Sequence, residues 1–203
     1  MKRAVAAAGL CALLLGGCAP MAPQPGADTA TELRWAQRRE ALANVLGFAL
    51  SGRVAESGGR SAALRWRQFA DARFTLQLSG PFGAGQVAIE GDPGGVWVRT
   101  KDGSQYTDDP RAWMRANLGW WLPLDDLRAW ALGLPAPGAI EQLALDADGR
   151  LATLQQHGWT VRYDGYQRVG SLELPRKLEA QTESVRLRLV VDSWTAVDLA
   201  KRS

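Results

Sequence analysis

One histidine, two pairs of adjacent aspartates and two cysteines are the residues of this 203-residue chain that invite a chemical reading. His157 lies in "LQQHGW", at the end of an alternating segment and beside a glycine. A nucleophilic triad needs a base next to a Ser or Cys, and no GxSxG accompanies this histidine, so a turn position is its expected role. A metal centre needs several His, Cys or carboxylate ligands at regular spacing, which a lone histidine does not supply. Asp108/Asp109 and Asp125/Asp126 have the carboxylate pairing that glycan hydrolysis uses. Each pair also stands at the opening of a helical segment, where negative charge and capping account for it. There is no Walker or GxGxxG pattern, and the glycines of "GPFGAG" open no phosphate-binding helix. Neither a catalytic residue, a metal nor any other cofactor is therefore expected.

Both cysteines fall in "MKRAVAAAGLCALLLGGC", which has a basic start at Lys2 and Arg3, an apolar run from Ala4 to Leu15 and then small residues. That is the pattern of a secretory signal, and the run is too short to span a bilayer. Leu15-Gly16-Gly17-Cys18 resembles a lipobox, in which the cut precedes the cysteine and that cysteine carries lipid. An ordinary cleaved signal with an incidental cysteine is the alternative. A cut before Cys18 takes Cys11 away, and the 186 residues that remain hold one cysteine, which excludes a disulfide within the chain. Lipidation explains an otherwise unpaired thiol in an exported protein, and two or more acyl chains anchor a protein almost permanently. Ala19 follows, where the familiar inner-membrane retention signal has Asp. The expected location is the outer membrane of a Gram-negative cell, lipid-anchored and facing the periplasm.

The formal charge of +3 includes Lys2 and Arg3, so the mature chain keeps only +1. That balance does not suggest a nucleic-acid partner. "APMAPQPGADTA" is Pro-rich and poor in bulky apolar residues, the composition of a flexible tether. The expected organisation is a signal peptide over 1–17, a lipidated tether over 18–30 and one domain over 31–203, with 46% hydrophobic residues in the chain to build its core.

The domain opens with "TATELRWAQRREALANVLG", where Leu33, Ala36, Leu42, Val45 and Leu46 recur at helical spacing and Gly47 can close the end. The period then changes to two. "FALSGRVA" and "ARFTLQL" alternate as half-buried strands, and similar segments continue to "SVRLRLVVDSW". The strand run breaks once, at "TDDPRAWMRANLGWWLPLDDLRAWALGLPAPG", which predicts two short helices, with four of the nine tryptophans between Trp113 and Trp130. Many short strands joined by turns suggest a barrel or strongly curled antiparallel sheet. The helices have apolar faces that suit a plug or lid, or else a small tryptophan-rich core.

Several of these segments, in this order, resemble the LolB family of outer-membrane lipoproteins: "LRWRQ" and "GPFGAGQVAIEG", then "WLPLDDLRAWALGLPAPG", "LQQHGWTVRYDGY", "LPRKLEA" and "LRLVVDSW". The resemblance runs from Trp35 to Trp194. It implies a mainly β fold with α, an antiparallel sheet of about eleven strands curled into an incomplete barrel, lidded by about three helices and enclosing an apolar cavity. It also implies a monomer that accepts cargo lipoproteins from the periplasmic carrier LolA, holds their acyl chains, and delivers them to the inner leaflet of the outer membrane without a covalent step. The cavity residues expected are the strand positions Leu50, Leu64, Trp66, Phe74, Leu76, Val87, Ile89, Val96 and Val98, with Leu127 and Trp130 from the lid. In the family the loop after the strand matching "ARFTLQLSG" carries an exposed apolar residue, usually Leu, that enters the membrane. Here the matching turn is Pro81-Phe82-Gly83, with Phe82 at the tip. Arg65, Arg67, Arg186 and Arg188 fall on the opposite strand face, as a solvated exterior or a docking surface. Two rivals remain: a structural lipoprotein that scaffolds an outer-membrane assembly, and an envelope hydrolase. A dry apolar cavity of several hundred cubic ångströms favours transfer. A filled core favours the scaffold, and an open polar cleft holding Asp108 or Asp125 favours the hydrolase.

Overall fold

The computed structural model describes residues 29–80, 85–119, 121 and 123–199. Cys18, Pro81, Phe82, Gly83, Trp120 and the side chain of Asp125 lie outside the described residues.

Helix α1 spans Thr29–Ala43 and buries Thr31, Trp35 and Leu42, a stripe spaced four and seven residues apart. It starts two residues before the expected domain boundary. Its end differs from the sequence reading: Asn44 Nδ2 donates to the Glu40 carbonyl at 2.9 Å where the helix stops, and Val45 and Leu46 belong to the first strand. Leu33 is 59% exposed, because Trp35 rather than Leu33 sits in line with Leu42. Gly47 is a strand residue, where an added Cβ would lie 2.7 Å from the Gln68 carbonyl oxygen.

Strand β1 (Val45–Glu56) is followed by β2 (Ser61–Gln68), β3 (Phe74–Ser79), β4 (Val87–Asp92), β5 (Gly95–Thr100) and β6 (Gly103–Thr107). After helices α2 (Pro110–Leu118) and α3 (Leu124–Leu132) come β7 (Gln142–Leu145), β8 (Leu151–Gln156), β9 (Trp159–Tyr163), β10 (Tyr166–Val169), β11 (Leu172–Pro175), β12 (Lys177–Gln181) and β13 (Arg186–Leu199). Eleven strands form one antiparallel sheet in the order β6-β5-β4-β3-β2-β1-β13-β12-β9-β8-β7, while β10 and β11 form a separate hairpin. The end strands β6 and β7 do not pair, so the barrel is incomplete.

Alternation fixes the face. Leu50, Trp66, Leu76, Ile89 and Val98 are successive cross-strand partners, and all five are buried. On the other side of β1 the inner row continues from Val54 to Leu189, Leu178 and Tyr163. Arg65, Arg67, Arg186 and Arg188 are exposed on the outer face. The β1–β13 pairing shifts register between Ser51 and Gly52. A Cβ on Gly52 would stand 2.2 Å from the Val190 carbonyl oxygen, so the close approach there needs glycine. Phe48 meets Trp66 and Trp194 edge to face at 4.9 and 5.3 Å.

Both lid helices are explained locally. Asp109 caps α2, its side chain accepting from the Ala112 N–H at 2.8 Å, with Pro110 in the first turn. α2 and α3 end at Gly119 and Gly133, with φ of 75° and 76°, the left-handed conformation that closes a helix.

Candidate functional site

α3 lies across the inner face of the sheet. Leu127 and Trp130 point down from it, Trp130 with no exposed surface. Together with Pro123 they roof a closed slit whose floor is Val54, Leu64, Trp66 and Leu76 on one side and Leu178, Ala180, Leu187 and Leu189 on the other. Every lining residue is apolar. The space is about 30 Å³, far below the 300–1,000 Å³ of ordinary ligand pockets. The space is an order of magnitude smaller than a cavity of several hundred cubic ångströms, because the Trp130 indole and Leu127 descend into it.

Of the residues expected at the cavity, Leu64, Trp66, Leu76, Leu127 and Trp130 meet at the slit. Leu50, Ile89, Val96 and Val98 share the same inner face but pack in the surrounding core. Phe74 is half-buried and covers Gly91, where a Cβ would come within 2.3 Å of its ring. Val87 is half-buried and borders an open groove of about 410 Å³ with Val54, Glu56, Arg60, Gly80 and Gly85. In the sequence those last two glycines flank residues 81–84. The slit residues that the sequence reading missed are Val54, Pro123, Leu178, Ala180, Leu187 and Leu189. Four of them stand at alternating positions of "KLEA" and "VRLRL", a signal available in the sequence.

Polar contacts hold the roof at several points. The Tyr163 hydroxyl donates to the Trp130 carbonyl at 3.0 Å, and Arg128 donates to the carbonyls of Val45 and Leu46 at 3.2 and 3.3 Å. The Trp130 indole N–H reaches the buried Gln156 side chain at 3.4 Å. Burial pushes the Tyr163 hydroxyl well above the usual tyrosine range, with nearby Tyr166 adding to the shift. α2 is tied to the sheet by a hydrogen bond from Trp113 Nε1 to Gln105 at 3.2 Å.

His157 occupies the β8–β9 turn with φ of 53°, followed by Gly158 at 75°. It is the turn residue that the sequence suggests. Its Nδ1 also faces the Asp126 carboxylate at 3.0 and 3.1 Å, tying the turn to the first turn of α3. Both residues border an open cleft of about 480 Å³ with Arg111, Trp121, Trp159 and Pro123. Among the described residues, no hydroxyl or thiol side chain belongs to that lining. Asp109 is committed to its cap. Among the described residues no three His, Cys, Asp or Glu side chains gather into a metal site, and no helix is long and apolar enough to cross a membrane.

A sheet curled around a helix-roofed apolar interior is a fold this chain shares with a solved protein of the LolA superfamily. The crystal structure of the LolA superfamily protein NE2245 from Nitrosomonas europaea superposes with a TM-score of 0.53 at 12% identity, covering 84% of this chain and 94% of that one. That likeness concerns the fold. The sequence goes further, since residues 47–194 match the family model for the outer membrane lipoprotein LolB. The chain is 38% identical over 188 residues to the outer-membrane lipoprotein LolB of Nitrosococcus oceani, covering 90% of this chain and 92% of that one. It is 35% identical over 184 residues to that of Chromohalobacter salexigens, covering 89% and 85%. The chain belongs to the LolB family.

Proposed function

We propose that this chain is an outer-membrane lipoprotein that receives lipoproteins from the periplasmic carrier LolA and inserts them into the outer membrane. The observation that carries the reading is the wholly apolar slit under α3 in a chain of this family. Residues 1–17 are removed in this reading, Cys18 is lipidated, and residues 18–30 form the leash. Acyl chains move down a gradient of burial, from carrier to slit to bilayer, because each buried CH₂ contributes about 0.8 kcal/mol. The slit at about 30 Å³ is a resting state, and cargo must lift the roof. Pro123 and Leu127 swing away while the Trp130 end stays bonded to Tyr163 and Gln156. Pro81, Phe82 and Gly83 lead into the bilayer.

The nearly filled interior favours a second reading, a structural lipoprotein that scaffolds an envelope assembly. One assay separates the two. Mixed with carrier loaded with a lipoprotein, the protein is expected to take the cargo and then yield it to liposomes. If cargo stays on the carrier under conditions in which the carrier can release it, the scaffold reading stands and the transfer reading falls.

A further inference from the structure

Pro123 lines both the closed slit and the open cleft of about 480 Å³ beside it. That cleft combines apolar faces with hydrogen-bond donors. The indoles of Trp121 and Trp159 meet edge to face at 4.9 Å, and the Arg111 guanidinium lies 4.0 Å over the Trp121 ring. Trp121 is 7% exposed, and its indole N–H is buried with no acceptor among the described residues. An orphaned buried donor is unfavourable unless something supplies the acceptor, and of the three unpartnered indole N–H groups among the described residues, those of Trp66, Trp121 and Trp194, only Trp121's belongs to this cleft. Arg111 likewise enters no ion pair among the described residues.

We propose that this cleft holds the extended peptide segment that directly follows the acylated cysteine of a cargo lipoprotein, an inference that rests on the transfer function proposed above. Lipid and peptide are joined at that cysteine. Once the acyl chains fill the slit, the peptide leaves beside it, and two openings border a residue of the slit. One is the groove that shares Val54 with the slit, bordered by glycines and by the Glu56–Arg60 ion pair. The other is the cleft that shares Pro123. Of these two openings, only the cleft is lined by tryptophans and by a residue with an unpartnered buried N–H, the chemistry by which aromatic-lined grooves take extended peptides. The Trp121 N–H and the Arg111 guanidinium donate to backbone carbonyls, so the peptide is held whatever its side chains are.

The test uses the full chain and two synthetic probes. One is N-acyl-S-diacylglyceryl-cysteine amide, and the other is the same lipid with a polar tail of about five residues, ~17 Å when extended. The tail is expected to tighten binding about tenfold. Trp121→Phe, which keeps a ring and removes the N–H, and Arg111→Ala are each expected to erase about twofold to tenfold of that gain while binding the tail-less lipid as the parent does. A photoreactive residue placed next to the cysteine is expected to label Pro110, Arg111, Trp121 or His157. This labelling uses the unaltered protein and decides the matter even where a variant folds poorly. Labelling confined to the Glu56–Ser61 turn or to Gly80 and Gly85 overturns the proposal, as does a tail gain that is absent from the parent or intact in both variants. If the parent fails to bind even the tail-less lipid, the transfer function itself falls. If it binds that lipid with no tail gain, only the cleft assignment falls.

Discussion

The Gln156 carboxamide grips both backbone groups of Ala136: the Ala136 N–H donates to Oε1 at 2.9 Å, and Nε2 donates to the Ala136 carbonyl at 2.7 Å. Gln156 has no exposed surface, so the pair mimics one rung of a sheet inside the core. It fastens the chain leaving α3 to the end of β8.

Gln156→Leu keeps the volume and strips both partners from Ala136. Two buried backbone groups then lack hydrogen bonds, at about 1–3 kcal/mol each. The expected result is a fall in thermal stability of several degrees, with faster hydrogen exchange from Trp130 to Ala136 than in the distant strands β3 and β4. Unchanged exchange in that segment would show that the clamp is not what holds the roof.

Charging the roof is a harsher test. Leu127→Glu and Trp130→Glu place a carboxylate in an apolar slit, where an unpaired charge is strongly disfavoured. Trp130→Glu is expected to unfold the domain, since a buried aromatic contributes about 3–5 kcal/mol. Leu127→Glu, at the edge of the roof, is expected to leave a folded protein that binds no acyl chain. Circular dichroism and binding of a fluorescent fatty acid check the two outcomes.

Alkaline pH attacks the same element. Burial raises the Tyr163 hydroxyl well above its ordinary value of 10.0, and burial also raises Tyr166. A group raised in the folded state contributes its stability in full below the unfolded value and loses it as pH climbs toward the folded one. Stability is therefore expected to be flat in this respect up to about pH 10 and to fall above it. Tyr163→Phe is expected to be less stable at pH 7, through the lost bond to the Trp130 carbonyl, and to show a shallower alkaline fall. Chemical denaturation at pH 7 and in the alkaline range measures both.

Phe82→Glu carries the loop reading. The substitution is expected to leave the melting temperature and cargo acceptance near the parent's while impairing delivery to liposomes, because an inserted Phe contributes roughly 1.5–3 kcal/mol of membrane affinity and a glutamate resists entry. Phe82→Leu is expected to deliver nearly as well as the parent. Normal delivery by the glutamate variant would sink the insertion role.

Period-two alternation made most of the sheet legible, since wherever one face is buried the pattern is written into neighbouring residues. β6 escaped notice because "GSQYT" is an edge strand exposed for nearly its whole length, and β10 because Tyr166 reads as the end of a turn. Which residues share one face of a strand was legible, but which face points inward in every strand was not, and which residues border empty space depends on how far α3 descends, which no local pattern records. The His157–Asp126 contact joins residues 31 positions apart, and the Gln156 clamp looked like ordinary strand polarity.

The first and last strands, β1 and β13, are partners in the middle of the sheet, from Val45 with Leu199 to Glu56 with Leu187. An exported chain emerges N-terminus first, so β1 has an unsatisfied side until nearly the whole sequence has crossed. Contacts spanning so much chain form slowly, and an open strand edge is where chains stick to one another. For this protein, the interval before Arg186–Leu199 arrives is the one in which the open edge of β1 is most exposed to other chains.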